Sequence, residues 1–384
     1  MVWAMLMINV VGAVGDMLVP VPRGALQMIT MGCLAGAFLL ALRINPRVTV
    51  HFSIYLSVLT VLALLALVSS ARLEGGLGSL FRCARFFLFV GTLWLLTPWW
   101  RGDLRFVRIQ MTALAVILAT VLAGMVANPG LAFSGATGGR LAGVLWPIPA
   151  TAVGEYGALA AGLVVLFWIS GAMNGRRALL IVIPAAACLL LSHTRTALVG
   201  FLAGLLVAGF GLIVTSRRAR RAIGVVALLA AVAALSLQDE LVDWFQRDQG
   251  DEAITGLTGR TKVWDALLAK DRSTTEQLVG VGLGDKSYGG LSIDSTWLST
   301  YHELGQFGVA LVGLMLISLL AVALFRPPSL ARRCAVFLIV YCIASSYTEV
   351  GLGDASPYLM HLAVAASLLA APRAGADEFA PAGG

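Results

Sequence analysis

The feature that most constrains this chain is a succession of long apolar runs separated by shorter polar segments. Hydrophobic residues make up 59% of the 384 positions and charged residues only 12%, which is far from the average of soluble domains. A run of about 20 apolar residues is long enough to cross a bilayer as a helix. Because lipid offers no partner to free backbone groups, runs this continuous must be helical. The predicted fold class is therefore all-α, a polytopic integral membrane protein.

We predict about twelve transmembrane helices in this sequence. They cover approximately 2–19, 25–42, 50–69, 80–98, 105–126, 153–171, 177–191, 196–215, 221–237, 296–324, 332–349 and 354–371. Residues 1–371 then form a single membrane domain, and the Ala- and Gly-rich tail at 372–384 is predicted to be disordered. The five cysteines all lie in apolar runs, so we expect small buried side chains and no metal site or disulfide.

The basic residues predict the orientation, because short cytoplasmic loops carry an excess of lysine and arginine. Arginines fall in every second loop, namely Arg43, Arg47, Arg101, Arg105, Arg108, Arg176, Arg177, Arg217, Arg218, Arg220, Arg221, Arg326, Arg332 and Arg333. All of them lie on one face if both termini are cytoplasmic. The net charge of +7 then faces anionic lipid headgroups and needs no nucleic-acid partner. We therefore predict a multi-pass protein of the cytoplasmic membrane.

The largest hydrophilic segment, 238–295, falls on the opposite face and is predicted to be one large extracytoplasmic loop. It holds eleven acidic residues against six lysines and arginines, so it lacks the cytoplasmic charge bias. Val263, Ala266 and Leu267 recur at helical spacing, which favours a short amphipathic helix at the interface. The glycines of 280–284 predict a flexible turn, and this segment lacks the lysine of a nucleotide-binding loop.

Three arginines, Arg140, Arg195 and Arg260, come from three separate segments of this outer face. Each alone could be a structural arginine that reaches the headgroups. Arg195 is bounded on both sides by apolar sequence, where a charge is costly unless it faces a wet cavity, a partner or a substrate. Several guanidinium groups around one cavity would hold a pyrophosphate by charge-assisted hydrogen bonds. The same groups would stabilise the charge that grows as the pyrophosphate leaves.

Asp294 opens the apolar run that follows the large loop, and it has two possible roles. It could cap that helix, or it could be a general base that removes a proton from a sugar hydroxyl. Tyr301 shares its helical face, whereas His302 is turned away by about 80°. Tyr301 fits an aromatic belt or a substrate contact, and His302 a structural role or a second proton carrier. His193 fits phosphate orientation or a helix start equally well.

These segments, in this order, resemble the O-antigen ligase and O-antigen polymerase superfamily of bacterial envelope glycosyltransferases. The resemblance covers about 128–320. Its pieces are 139–144 followed by prolines, the Ser-x-x-Arg motif in 192–198, Gly259-Arg260 with Trp264, the glycines of 280–284, and 294–298 followed by 303–308.

The resemblance implies an inverting, metal-independent transfer of glycan from a polyprenyl pyrophosphate, with no cofactor. Arg195 and Arg260 would hold the pyrophosphate, with Arg140 in the same task. Ligase members commonly carry His-Asn where this chain has Asp294-Ser295. The expected histidine base is therefore absent, and the aspartate is more similar to the polymerase or exopolysaccharide branch. The implied partners are a lipid-linked glycan donor, a glycan acceptor, the bilayer and other envelope polysaccharide assembly proteins.

We therefore predict a membrane glycosyltransferase that transfers or polymerises glycan at the outer face of the cytoplasmic membrane. The predicted catalytic residues are Asp294, Arg195 and Arg260, and the predicted substrate-binding residues are Arg140, His193, Tyr301 and His302. The alternatives are an O-antigen ligase proper, a lipid-linked glycan flippase or transporter, and a membrane scaffold. A transporter predicts ionisable residues at mid-membrane and often repeated halves, and we find no internal repeat.

Overall fold

The computed structural model describes residues 1–10, 17–71, 76–135, 138–215, 217–218, 220–221, 224, 260–284 and 286–371. These residues are mostly helical. The helices are α1 Val2–Val10, α2 Arg23–Ile44, α3 Ile54–Ser70, α4 Gly76–Leu96, α5 Arg105–Ala127, α6 Pro129–Ala132, α7 Ala150–Ile169, α8 Gly175–Leu191, α9 Arg195–Thr215, α10 Arg260–Leu268, α11 Thr274–Val279, α12 Thr296–Phe325, α13 Leu330–Ser345 and α14 Pro357–Leu368.

The predicted helical, membrane-embedded character is confirmed. In the described ranges, five helices are long and apolar enough to cross a bilayer: Arg23–Ile44, Gly76–Trp99, Arg105–Ala127, Ala150–Ile169 and Thr296–Phe325. The helices Ile54–Ser70, Arg195–Phe210 and Pro357–Leu368 are apolar but shorter. The count of twelve spans stays a prediction, and the predicted span 221–237 lies almost wholly outside the described residues.

The span predicted at 332–349 is wrong at its end, because α13 stops at Ser345. The backbone amides of Thr348 and Glu349 both donate to the Ser345 carbonyl, at 3.2 and 2.9 Å, and so form a turn. Glu349 therefore lies outside the helix. At the other end of the chain, the span predicted at 2–19 is helical to Val10, and residues 11–16 lie outside the described residues.

Helix α7 is the buried centre of the fold and packs against α5, α8, α9 and α13. Its glycines explain how closely these neighbours approach. A Cβ at Gly162 would lie 2.1 Å from the Phe337 ring of α13, and one at Gly157 would lie 2.6 Å from the Ala185 carbonyl of α8. Small residues at such contacts let apolar helices pack backbone to backbone within a membrane.

Helix α12 is broken at Gly305, whose φ of 65° and ψ of −164° are not helical. The break frees two helix carbonyls, and the glycine segment 280–284 supplies their donors. The amide of Val281 donates to the His302 carbonyl at 3.1 Å, and the amide of Gly282 donates to the Glu303 carbonyl at 2.9 Å. Buried backbone groups need such partners. The glycines predicted to form a flexible turn are therefore packed into the helix bundle.

A two-stranded hairpin leads into the candidate site. Strand β1, Ser287–Tyr288, pairs with antiparallel β2, Leu291–Ser292, across two glycines of positive φ. Ile293 follows β2 and is fully buried against Val263 and Leu267 of α10. The helix predicted around these two positions is confirmed, and its apolar face holds α10 against the chain that enters α12. The rest of the predicted outer loop, 238–259, lies outside the described residues.

Candidate functional site

Arg260 and Asp294, both predicted catalytic residues, form an ion pair. The Nε atom of Arg260 donates to Oδ2 of Asp294 at 3.2 Å, and the Ser292 hydroxyl donates to Oδ1 at 2.5 Å. Arg260 is the first residue of α10, and Asp294 follows the hairpin. The packing of α10 on Ile293 therefore brings the two side chains together. Both oxygens of the carboxylate are engaged.

The capping role considered for Asp294 is wrong. Helix α12 begins at Thr296 with Ser295 as its N-cap, and the Ser295 side chain makes no capping hydrogen bond. Asp294 precedes the helix, so it does not share a helical face with Tyr301. Its carboxylate is turned to Arg260 instead, with 38% of the side chain exposed.

Arg195 is the first residue of α9, at the positive end of a long apolar helix. Its Nε and Nη2 atoms are buried and have no hydrogen-bond partner among the described residues. Its charge also repels that of Arg260. A buried donor without an acceptor is costly, more so when it is charged. Arg195 and Arg260 therefore form a concentrated positive charge, and none of the described residues supplies a hydrogen-bonded anion at Arg195.

Arg140 is used in part by the protein itself. Its Nε donates to the Ser192 carbonyl at 2.9 Å, and its Nη2 donates to the Thr194 hydroxyl at 3.3 Å. The Thr194 hydroxyl in turn donates to the Ala150 carbonyl at the start of α7, at 3.2 Å. Burial lowers the pKa of Arg140, while Glu349 raises it and Arg260 lowers it further. Arg140 thus fixes the turn that leads into Arg195 and adds its charge to the same cluster.

His193 occupies the tight turn between α8 and α9. Its φ is 48°, a left-handed conformation that often follows the end of a helix, and its amide donates to the Leu190 carbonyl at 3.1 Å. The residue therefore shapes the turn that sets the direction of α9. The phosphate contact predicted for its side chain stays a prediction.

The turn at 346–349 joins the starts of two helices, and it was not recognised in the sequence. The hydroxyls of Thr196 in α9 and Thr348 lie 2.6 Å apart. At the start of α12, the Thr296 hydroxyl donates to the Glu349 carbonyl at 2.8 Å, and its amide donates to the Ser346 carbonyl at 3.0 Å. The turn therefore holds the α9 end that carries Arg195 close to the chain that carries Asp294.

Glu349 is the functional candidate that sequence reasoning missed. Burial raises the pKa of its carboxyl to about 7; Arg260 and Arg140 lower it, while Glu155 and Asp294 raise it. Glu349 therefore interacts electrostatically with three of the predicted site residues, Arg260, Arg140 and Asp294. The only signal in the sequence is an acidic residue at the end of an apolar run, inside a span predicted to reach 349.

The other two predicted residues, Tyr301 and His302, lie against Arg272. The guanidinium of Arg272 stands 4.8 Å from the Tyr301 ring centroid, and its Nη2 lies 3.3 Å from Nδ1 of His302. The ring of Tyr288 meets that of His302 edge-on at 6.1 Å. This second cluster is held by contacts that do not include Asp294. Their substrate role stays a prediction.

Beside the break in α12, Lys286 and Asp354 form a mostly buried ion pair at 2.6 Å, with 16% of each side chain exposed. The Glu303 side chain accepts a hydrogen bond from the Gly284 amide at 2.8 Å and is 1% exposed. The Glu303 bond anchors the glycine segment to the part of α12 that precedes the break. Glu303 therefore binds this inserted segment.

A polar network also crosses the apolar core. Nε2 of His361 lies 2.8 Å from a carboxylate oxygen of Glu155, and Nδ1 lies 3.1 Å from the Gln110 amide. Gln110 accepts from the Trp3 indole at 2.6 Å. Together these contacts tie α1, α5, α7 and α14. No sequence pattern singles out Glu155 or His361, because each is an isolated ionisable residue in an apolar run.

Within the described ranges, no three His, Cys, Asp or Glu side chains are grouped as a metal site. Comparison with protein-family models and with curated proteins finds no match to this chain. The resemblance to the O-antigen ligase and polymerase superfamily therefore depends on the motifs alone. What the geometry offers chemically is a cluster of arginines that can bind a multiply charged anion, with two carboxylates next to it.

Proposed function

We propose that this protein is a membrane glycosyltransferase whose donor is a polyprenyl-pyrophosphate-linked glycan and whose acceptor is a sugar hydroxyl. Under this proposal it extends or transfers envelope polysaccharide at the outer face of the cytoplasmic membrane. The polymerase type is favoured over a ligase because Asp294-Ser295 stands where ligases commonly have His-Asn. Under this proposal Arg195 and Arg260 bind the pyrophosphate.

The observation that carries the proposal is the unsatisfied guanidinium of Arg195. Two of its nitrogens are buried without an acceptor in the part of the chain that the structure describes, next to a second arginine and at a helix N-terminus. Phosphate oxygens suit this arrangement, because a planar guanidinium makes bidentate, charge-assisted bonds and a helix N-terminus attracts anions. A pyrophosphate would supply both the missing acceptors and the missing negative charge.

The proposed reaction needs little beyond electrostatics and one proton acceptor. The acceptor hydroxyl oxygen bonds to the anomeric carbon of the donor as the bond from that carbon to the pyrophosphate oxygen breaks. The hydroxyl proton passes to a carboxylate, and the pyrophosphate leaves with its lipid. Arg195 and Arg260 would stabilise the charge on the leaving group. The sequence points to Asp294 as the carboxylate.

An apolar cavity of about 630 Å³ fits the lipid part of this donor. It lies along α1, α2 and α5 and ends at Trp146 and Ile148. Those two residues belong to the same loop as Arg140. Within this loop Ile148 forms an isolated β-bridge with Gly143, which lies three residues after Arg140. A polyprenyl chain in the cavity would therefore lead toward the arginine cluster.

The test is the Arg195→Lys variant, assayed on purified protein with a polyprenyl-pyrophosphate oligosaccharide. Lysine keeps the charge but loses the planar fork. We expect turnover to fall about 10- to 100-fold, the equivalent of one charged hydrogen bond. The matched control is Arg177→Lys, at an exposed arginine in the first turn of α8, which should turn over at the wild-type rate. Equal turnover by both variants would contradict the proposal.

One observation favours a second candidate, a lipid-linked glycan flippase or other transporter. Such proteins commonly carry ionisable residues inside the membrane, and Glu155 and His361 form a pair with 6% and 0% of their side chains exposed. The same purified protein in vesicles separates the two candidates. Longer glycans and free polyprenyl pyrophosphate support the transferase, whereas movement of intact donor across the bilayer supports the transporter.

A further inference from the structure

The carboxylates of Asp294 and Glu349, both beside the arginine cluster, differ in their hydrogen bonding. Asp294 accepts hydrogen bonds on both oxygens, from Arg260 and Ser292. The Glu349 carboxylate receives no hydrogen bond from any described residue, although it is half-buried. Both oxygens of Asp294 are therefore occupied in holding Arg260 and Ser292. The Glu349 carboxylate has no such bond to give up when it meets a ligand.

The position of Glu349 is fixed by its backbone rather than by its side chain. Its carbonyl accepts from Thr296 at 2.8 Å, and its amide donates to Ser345 at 2.9 Å. Thr348, the preceding residue, contacts Thr196 one residue after Arg195. The backbone therefore holds Glu349 between the starts of α9 and α12 while its carboxylate stays available.

The charged and titratable groups that interact with Glu349 come from six different parts of the described chain. They are Arg140 in its loop, Glu155 in α7, Arg260 in α10, Asp294 before α12, Tyr341 in α13 and Tyr358 in α14. The two arginines favour its charged form, whereas burial and the two acidic neighbours favour the neutral form. With these influences opposed, the carboxyl changes its charge near neutral pH.

We propose that Glu349, rather than Asp294, is the proton acceptor of this site. This rests on the proposed function: Glu349 takes the proton from the acceptor hydroxyl while that oxygen forms the new glycosidic bond. Asp294 then holds Arg260 in position. A general base is most effective when its pKa is close to the working pH, and the pKa of Glu349, raised by burial to about 7, meets that condition.

The proposal predicts opposite pH trends for binding and for turnover. A charged Glu349 repels pyrophosphate, so binding should tighten as the pH falls from 8 to 6. A base must be deprotonated, so turnover should rise over the same range as the pH increases. In the Glu349→Gln variant, turnover should no longer increase with pH, and most of the turnover rate should be lost. At pH 8 it should bind inorganic pyrophosphate at least about tenfold more tightly than the wild type.

Binding of inorganic pyrophosphate is measured by calorimetry from pH 6 to 8 on the wild type and on Glu349→Gln. The titration of the ligand itself is common to both proteins, so their difference reports Glu349. Glu276→Gln is the matched control, because the Glu276 side chain bonds Ser273 in the capping box of α11, which glutamine also fits. Identical pH dependence in the wild type and Glu349→Gln would overturn the proposal.

Turnover separates this inference from the proposed function. If the wild type turns over the glycan donor, and Glu349→Gln does so at the same rate and with the same increase with pH, Glu349 is not the base and the transferase proposal stands. If Asp294→Asn loses the increase with pH instead, the base is Asp294. If the wild type does not turn over the glycan donor at all, the transferase proposal fails and the base role fails with it. A binding difference between the wild type and Glu349→Gln would then leave Glu349 as the proton-binding group of an anion site.

Discussion

Replacing Arg195 by methionine should stabilise the ligand-free protein while removing its response to pyrophosphate. Two guanidinium nitrogens of Arg195 are buried without an acceptor among the described residues. Each buried, unsatisfied donor costs about 1–3 kcal/mol. Because the residue is only half-buried, we take the low end for each, which gives about 2 kcal/mol in total. Methionine keeps an unbranched apolar stem and has no donor to satisfy.

The expected gain corresponds to a rise of about 3 °C in Tm, since 1 kcal/mol shifts a domain of 150–250 residues by about 2–4 °C and a longer chain by less. Pyrophosphate should reverse the order of the two proteins. At a hundredfold excess over its Kd, a ligand stabilises the protein that binds it by about 2.7 kcal/mol. The wild type with pyrophosphate should therefore melt above Arg195→Met, whose Tm should not respond to the ligand.

The assay is thermal unfolding of the detergent-purified protein, with and without inorganic pyrophosphate. Arg177→Met is the matched control, because Arg177 is exposed and its loss should leave both the Tm and the ligand response unchanged. A ligand-free Arg195→Met protein that melts below the wild type would refute the reasoning. It would mean that the Arg195 donors are already satisfied and that no anion is needed to complete them.

Two further substitutions test the fold that holds the site. Gly305→Ala should destabilise the protein by at least about 2 kcal/mol, because alanine is strained at positive φ and its Cβ would lie 2.4 Å from the Leu278 carbonyl carbon. The control is Gly313→Ala in the same helix, which should leave the stability unchanged because nothing lies within 4 Å of the added Cβ. Equal melting curves for the two variants would contradict this account. Glu155→Ala should cost about 3 kcal/mol, because it leaves the buried His361 ring without its carboxylate, and an unchanged Tm would rule that out.

The convergence of Arg260 and Asp294 could be predicted because both lie in one polar segment and because charge alternation assigns their loops to one face. Apolar spacing also predicted α10, whose buried Val263 and Leu267 bring Arg260 to the chain before α12. These inferences need only local pattern and topology. They did not require knowledge of how distant helices end.

Glu349 could not be predicted because its exposure depends on where α13 ends. The predicted span continues past Ser345 to residue 349, but backbone hydrogen bonds turn the chain there. The same limit applies to Arg140, two of whose donors are taken by the Ser192 carbonyl at the end of α8 and by the Thr194 hydroxyl. Whether a donor is free for a ligand is set by tertiary contacts, which periodicity does not report.

The separation of Tyr301 and His302 from Asp294 has a similar origin. Counting at helical spacing from Asp294 assumes that the helix has already begun, whereas it begins at Thr296. The break at Gly305 then lets the segment after α11 insert beside these residues. A residue pattern within one helix therefore gave the wrong neighbours.

The turn at 346–349 connects distant parts of the polypeptide, and we expect its contacts to form late in folding. Its bond to Thr196 joins residues 152 positions apart, and its bond to Thr296 spans 53. Contacts of this separation form late, because much of the chain must be ordered first. A nascent chain that ends before α13 thus contains Arg195, Arg260 and Asp294 but not the segment that ties their helices together. We therefore expect the arginine cluster to assemble only after the later helices have inserted into the membrane.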